Sequence, residues 1–298
     1  MADRYQFPFK ENYLTIDGVR MHYVDEGSGP AILMVHGEPT WSYLYRKMIP
    51  PLVKAGYRCI APDLMGFGLS DKPEAESEYT LKRHVALMSG LVEKLDLKDV
   101  TIVGQDWGGP IGFGFGIEHQ DKVKSLVILN TLVAPMKLPL PFRLLFAQGA
   151  FSSFLIRRLD LMRTAAFFGG FHRKLDPEAK KQYMAPHPTP ASRGGVAAFP
   201  KLVPGTPAHE NYRYLVRIGD TLKSWDLPVL VMFSDKDIAF KVADGERIAK
   251  MVPNGRFKII RDAGHFLQED AGEEIAENMV NFLGSEVWKL KAKQTSNG

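Results

Sequence analysis

Three residues of this 298-residue chain have the types and order needed for a displacement followed by a hydrolysis. Asp106 lies in Val103-Gly104-Gln105-Asp106-Trp107-Gly108-Gly109, Asp237 in Phe233-Ser234-Asp235-Lys236-Asp237, and His265 in Asp262-Ala263-Gly264-His265-Phe266. Small residues two positions either side of a nucleophile, at a strand-to-helix turn, form a nucleophile elbow. Gly104 and Gly108 leave room for a backbone too crowded for a Cβ, and the middle side chain projects above the sheet. That middle residue is aspartate, not serine, and the difference sets the chemistry. An ordinary carboxylate is ionised at neutral pH, so its first attack needs no base. It is a weak nucleophile toward esters and amides but can displace a leaving group from saturated carbon, leaving an alkyl ester on Asp106. Neutral His265 can then take a proton from the water that attacks the ester carbonyl, with Asp237 orienting the imidazole and stabilising its charged form. The oxyanion of this step builds on Asp106, where the backbone N–H groups of Trp107 and Glu38 would face it. Asp235 is the competing acid. Asp237 is preferred because a turn after the strand commonly carries the acid a few residues on. Taken singly, each residue has a plainer reading: an aspartate after a strand caps a helix, and a histidine can be a satisfied core or surface group. The order nucleophile, acid, histidine is what favours catalysis.

These groups need a scaffold that presents them together. Ligand groups lie beyond the carboxyl ends of parallel strands, and all three candidates follow strand-like runs. Tyr13 to Asp25 reads as a β-hairpin turning at Asp17-Gly18. Ala31 to Val35 is a buried strand ending at His36-Gly37-Glu38-Pro39, and His36 is expected to hold that loop by hydrogen bonds. Tyr43 to Val53 suggests a helix broken or kinked at Pro50-Pro51. Arg58 to Ala61 is the next strand, followed by turn glycines Gly66 and Gly68. Thr80 to Leu95 is an amphipathic helix with Val85, Met88, Leu91, Val92 and Leu95 on one face. Strands at Asp99–Val103, Ser125–Asn130, Pro228–Phe233 and Arg256–Ile260 and a last helix from Glu273 to about Lys291 complete an α/β rhythm with a mostly parallel sheet covered on both faces. From Pro135 to about Leu222 no buried strand is evident. Short helices are expected there, from Pro141 to Leu161, Asp176 to Met184, and near Asn211 to Ile218. Residues 1–135 and 224–298 therefore read as the core, and 136–223 as an inserted helical cap.

Bulk composition narrows the class. Hydrophobic content is that of an ordinary globular protein. No apolar run has membrane-spanning length, and the first residues lack a secretory pattern, so a cytoplasmic protein without membrane association is expected. The single Cys59 excludes an internal disulfide and a cysteine-based metal site. The formal charge of +4, with no basic tract beyond Lys289, Lys291 and Lys293, gives little support for nucleic-acid binding. No Gly-Lys-Ser/Thr follows Gly66 and Gly68, so they do not read as a nucleotide site.

Three stretches, His36-Gly37-Glu38-Pro39-Thr40-Trp41-Ser42-Tyr43-Leu44-Tyr45-Arg46, Ala61-Pro62-Asp63-Leu64-Met65-Gly66-Phe67-Gly68-Leu69-Ser70-Asp71-Lys72-Pro73 and Gln105-Asp106-Trp107-Gly108-Gly109, resemble the haloalkane dehalogenases. The resemblance covers nearly the whole chain and is weakest in the first half of the cap. It implies an α/β-hydrolase core with an inserted helical cap. It also implies conversion of a small apolar haloalkane and water to an alcohol and a halide, with no cofactor; no metal site and a monomer or homodimer are expected. Glu38, the acid after the later strand and Asn130 resemble the branch with an Asp–His–Asp triad. Members hold the leaving halide with two N–H donors. Trp107 would supply one. In this branch the other is a cap tryptophan in a Phe-x-x-Trp pattern, but Trp41, Trp107, Trp225 and Trp288 all lie outside the cap interior. The best match, Phe151-Ser152-Ser153-Phe154, puts Phe154 in the donor's place, where an aromatic edge is only weakly positive. Glu38 would repel halide as a carboxylate. Phe151, Phe154, Phe167, Phe168 and Phe171 also read simply as helix packing. Two alternatives stand beside this reading: an epoxide hydrolase with Tyr183, Tyr212 or Tyr214 protonating the ring oxygen, and a noncatalytic binding protein. The His36–Trp41 loop argues against the first, and the intact Asp106, His265 and Asp237 set against the second.

Overall fold

The β-branched and aliphatic runs at Ala31–Val35 and Val100–Gln105 become central strands buried on both faces. The computed structural model describes residues 4–135 and 149–296. Among them the strands are β1 (Asn12–Ile16), β2 (Val19–Glu26), β3 (Ala31–Val35), β4 (Arg58–Pro62), β5 (Val100–Gln105), β6 (Val123–Leu129), β7 (Pro228–Ser234) and β8 (Asn254–Ile260). They form one sheet in the order β1-β2-β4-β3-β5-β6-β7-β8. The β1–β2 and β2–β4 pairings are antiparallel, and those from β4 through β8 are parallel. The expected mostly parallel α/β core is therefore present.

The period-two alternation of side chains divides the core. Leu33, Ile102, Ile128 and Val231 pack into one apolar layer, and Ile32, Met34, Val103, Val127 and Met232 into the other. Helices α1 (Ile49–Lys54), α2 (Leu81–Lys94), α3 (Gly108–Glu118), α4 (Ala150–Leu159), α5 (Leu161–Gly169), α6 (Pro177–Met184), α7 (Gly194–Ala198), α8 (Glu210–Ser224), α9 (Val242–Met251) and α10 (Leu267–Ser296) surround it. Val85, Met88, Leu91 and Val92 of α2 enter the first layer, while Ile275 and Met279 of α10 enter the second. Burying each such side chain stabilises the fold by about 1.5–3 kcal/mol. No helix among the described residues is long and apolar enough to cross a membrane.

Most local expectations match. The hairpin turns at Asp17 and Gly18, with φ values of 45° and 75°, as two left-handed turn residues require. The Tyr43–Val53 helix needs correction. The chain forms a 3₁₀ turn at Ser42–Tyr45, and α1 then begins with Ile49-Pro50-Pro51. The prolines open this helix instead of breaking it, because a first-turn residue needs no N–H partner. Between β6 and β7 the described chain contains only helices and turns. Most of the expected Pro141–Leu161 helix falls outside the described residues; α4 covers its last part. Helix α6 follows Asp176, whose carboxylate accepts from the N–H groups of Glu178 and Ala179. Helix α8 is longer than expected, and α10 begins before Glu273 with non-helical backbone at Ala271.

Candidate active site

β5 ends in a sharp turn into α3. Asp106 has φ of +52°, in the left-handed region, a conformation costing about 1–3 kcal/mol for a non-glycine residue. Its N–H donates to the Asn130 carbonyl at 3.0 Å, while its own carbonyl accepts from the Gly109 N–H at 3.1 Å and the Thr131 hydroxyl at 2.5 Å. The flanking glycines are sterically required. A Cβ on Gly108 would sit 1.9 Å from the Val35 carbonyl oxygen, and one on Gly104 would sit 2.8 Å from the Gly109 Cα.

From this turn the Asp106 carboxylate meets two other loops. Its Oδ1 accepts from the Glu38 backbone N–H at 2.9 Å. Its Oδ2 lies 3.6 Å from His265 Nε2. On the other side of the ring, His265 Nδ1 lies 2.9 Å from Asp237 Oδ2. Asp237 is buried, accepts from the Ala239 N–H through its other oxygen, and has its carbonyl held by the Lys241 ammonium. Asp235, the competing acid, pairs with Lys236 at 3.0 Å and makes no contact with the imidazole among those seen. Burial disfavours charge on the His265 ring, but Asp237 and then Asp106 outweigh it and raise the imidazole pKa to about 10.

The histidine loop is held from the end of β6 and from the segment after α5. The Asn130 amide donates to the Ser234 hydroxyl and to the carbonyls of Gly264 and His265, and its oxygen accepts from the Ser234 N–H. The Phe266 N–H donates to the Gly170 carbonyl at 3.0 Å, and the Phe171 ring lies 5.0 Å from that of Phe266. His36 holds the first loop as expected: Nδ1 donates to the Gly37 carbonyl and Nε2 accepts from the Leu64 N–H.

Two pocket assignments change. Trp107 is 4% exposed and meets the ring of Phe199, just after α7, edge-on at 5.9 Å. Phe154, however, is 54% exposed and borders a surface groove with Glu74, Glu76 and Arg157. The buried positions of α4 are Ser152 and Ile156, so helical spacing turns Phe154 outward. The expectation that Phe154 faces a leaving halide is withdrawn on that geometry. Glu38 also departs from expectation. Burial, then the Asp106 charge, push its carboxyl well above the usual range, favouring the neutral acid over a repelling carboxylate. Of the three tyrosines considered for ring protonation, Tyr183 donates to Glu269 at 2.6 Å and Tyr214 to Glu118 at 2.8 Å. Tyr212 is half-buried on α8.

Sequence reasoning overlooked Gln105, whose side-chain nitrogen lies 3.2 Å from His265 Nε2. The available signal was an amide at the end of an otherwise buried central strand. It also overlooked the pair between Arg46 and Glu269, which are adjacent only after the Ser42–Tyr45 turn and α10 pack.

The α/β hydrolase fold family matches residues 30–272. A haloalkane dehalogenase of Mycobacterium marinum is 39% identical, over 93% of this chain and 94% of that protein. A cis-3-alkyl-4-alkyloxetan-2-one decarboxylase of Shewanella oneidensis is 32% identical, over 93% and 89%. The tetrameric structure of the haloalkane dehalogenase DpaA from Paraglaciecola agarilytica superposes with a TM-score of 0.81 at 34% identity, covering 92% of each chain. With this match in sequence and in fold, the chain belongs to the haloalkane dehalogenase family of α/β hydrolases.

Proposed function

We propose that this protein hydrolyses haloalkanes through a covalent alkyl ester on Asp106, with His265 as base and Asp237 as its orienting acid. One observation carries the reading: the Asp106 carboxylate has one oxygen on the Glu38 N–H and the other toward His265 Nε2, while Asp237 takes the opposite ring nitrogen. Asp106 attacks the halogen-bearing carbon, the carbon–halogen bond breaks, and the halide leaves beside the Trp107 indole. The ester is neutral. The second anion that favoured imidazolium is thus lost, and His265 can release its proton and act as a base when a base is needed. Water then attacks the Asp106 carbonyl carbon as its proton passes to Nε2. The oxyanion faces the N–H groups of Glu38 and Trp107. Collapse breaks the acyl–oxygen bond and returns the proton from Nε2 to the departing alcohol; the Asp106 acid so formed passes its remaining proton to neutral His265, which restores the resting carboxylate and imidazolium. The described helices between β6 and β7 serve as the cap, meeting the core beside Asp106 through contacts such as Phe199 on Trp107.

His265→Phe tests this sequence of steps. Alkylation should proceed while hydrolysis stalls, so mass spectrometry after incubation with a bromoalkane should find one alkyl group on the peptide holding Asp106. An unmodified peptide from folded, substrate-binding protein would overturn the reading.

A second reading is favoured because Trp107 is the one tryptophan beside Asp106 among the described side chains: opening of a cis-3,4-dialkyl oxetan-2-one, the compound class in the name of the Shewanella relative. A four-membered lactone carries its own leaving carboxylate and needs no halide cradle. Halide release from bromoalkanes, measured beside alkene and carbon dioxide release from such a lactone, separates the two. The epoxide alternative loses support because the Tyr183 and Tyr214 hydroxyls donate to Glu269 and Glu118.

A further inference from the structure

Gln105 is fully buried directly before the nucleophile. Its side-chain nitrogen lies 3.2 Å from His265 Nε2 and 3.3 Å from the His265 carbonyl oxygen, while its amide oxygen is buried without a partner. The chemistry of the neighbours fixes the orientation of this amide. A carbonyl oxygen only accepts, so the NH₂ group must face His265 O. Its other hydrogen is then available to Nε2, which can accept it only when unprotonated. On the far side of the ring, Nδ1 faces the Asp237 carboxylate and must carry a hydrogen. This contact therefore suits the neutral Nδ1–H tautomer and opposes the imidazolium, in which two N–H groups would point at each other.

We propose that Gln105 is a positioning residue that keeps His265 Nε2 unprotonated once the Asp106 ester has formed. The proposal rests on the covalent reading above and assigns Gln105 its part in the second step. The charged groups bearing on the ring are Asp237 and Asp106; Lys241 reaches only the Asp237 carbonyl, and the flanking rings of Phe240 and Phe266 are uncharged. In the resting protein the two carboxylates favour imidazolium. Alkylation removes one of them, leaving Asp237 to favour the charged ring against burial and the Gln105 donor. As water arrives, the amide retains the His265 carbonyl as acceptor and yields the Nε2 lone pair. The water proton then passes to Nε2 while its oxygen bonds to the ester carbon.

The test is Gln105→Met, which keeps the bulk and removes the donor. Hydrolysis of the Asp106 ester is followed by rapid-quench mass spectrometry against pH, with a bromoalkane. Losing a donor to the neutral ring should raise the pH midpoint of hydrolysis by about one unit. Hydrolysis should slow about tenfold below that midpoint and recover above it, with alkylation changed less than about threefold. An unchanged midpoint, including slowing by one factor at every pH as a purely structural defect would give, overturns the proposal. A second arm does not depend on that variant folding or on turnover. In Asp106→Asn, which imitates the uncharged ester, the nitrogen NMR shifts of His265 should report Nδ1–H with bare Nε2 at pH 7. The opposite tautomer or an imidazolium overturns it. If His265→Phe forms no ester, the covalent reading fails instead, and the NMR arm still decides the Gln105 contact.

Discussion

His265 Nδ1 lies 2.9 Å from Asp237 Oδ2, although the two residues reach the site from separate loops beyond β7 and β8. That hydrogen bond sets which ring nitrogen is free to act. Asp237→Asn offers an amide that can stabilise the wrong tautomer, and by analogy with other triads should slow ester hydrolysis by about 10²–10⁴-fold. Asp235→Asn should stay within about twofold of wild type, since Asp235 is paired with Lys236. Single-turnover rates of the two variants check the assignment. The reverse ranking would exchange the acids.

Halide departure should depend on one indole. Among the described side chains, the Trp41 N–H donates to the Gln182 carbonyl and Trp225 packs against α3 beside Gly116, leaving Trp107 next to Asp106. Losing an N–H donor aimed at developing charge costs on the order of a hundredfold in rate. Chloride is a poorer leaving group than bromide or iodide and should suffer most. Halide release from matched substrates should therefore favour bromo- and iodoalkanes strongly, and Trp107→Phe should nearly eliminate it. Efficient chloroalkane turnover by wild type would mean that another cap donor serves the halide.

A buried ion pair ties the segment before α1 to α10, and Tyr183 of α6 joins it. Arg46 forks onto Glu269, whose carboxylate also accepts from Tyr183 of α6 and pairs with Lys47. Breaking such a pair from one side leaves an uncompensated buried charge. Glu269→Gln should therefore destabilise the protein by about 3–5 kcal/mol. The check is the urea midpoint at unchanged m-value. A shift equivalent to under about 1 kcal/mol would show that the guanidinium finds other partners.

Stability should decline from near neutrality into acid in two stages. Burial holds the neutral forms of His84 and His187, with pKa values lowered from 6.5 to about 3. The unfolded chain binds those protons first, so stability falls as pH drops from about 6.5 toward 3. Asp63 and Glu269 follow. Burial opposes their charge, but His22 for Asp63 and Arg46 for Glu269 hold both pKa values down to about 2. Their contribution is present above the unfolded values near 4 and is lost as pH falls through about 2. His265 has the opposite sign: its stabilising contribution is complete below 6.5 and disappears as pH rises through about 10. Urea midpoints across pH should therefore peak near pH 6.5, and His84→Leu should flatten the first acidic stage. A midpoint that is level from pH 6.5 to 4 would contradict the assignment.

What the sequence made legible follows from the range of the forces involved. β3 and β5 are short apolar runs whose neighbours are all buried, so local pattern alone identified them. The elbow was equally readable, because the steric demand for Gly104 and Gly108 is local to the turn. The helix opening at Ile49-Pro50-Pro51 was misread because a proline that breaks a helix interior is also favoured in its first turn. Phe154 was misplaced because α4 has apolar residues on both its buried and exposed sides, leaving its inward face ambiguous. Gln105 and Glu269 gave weaker signals still. Their partners are 160 and 223 positions away in sequence, and only tertiary packing brings them together.

The central claim is that Asp106 itself bonds to the substrate carbon. A single turnover in heavy-oxygen water tests it most directly, with enzyme in excess over a bromoalkane and both products analysed by mass spectrometry. Because water attacks the ester carbonyl, the label should enter the Asp106 carboxylate, and the released alcohol should carry the unlabelled oxygen that Asp106 gave it. Label in the alcohol with none in the Asp106 peptide would mean that water attacks the substrate carbon directly, contradicting the account.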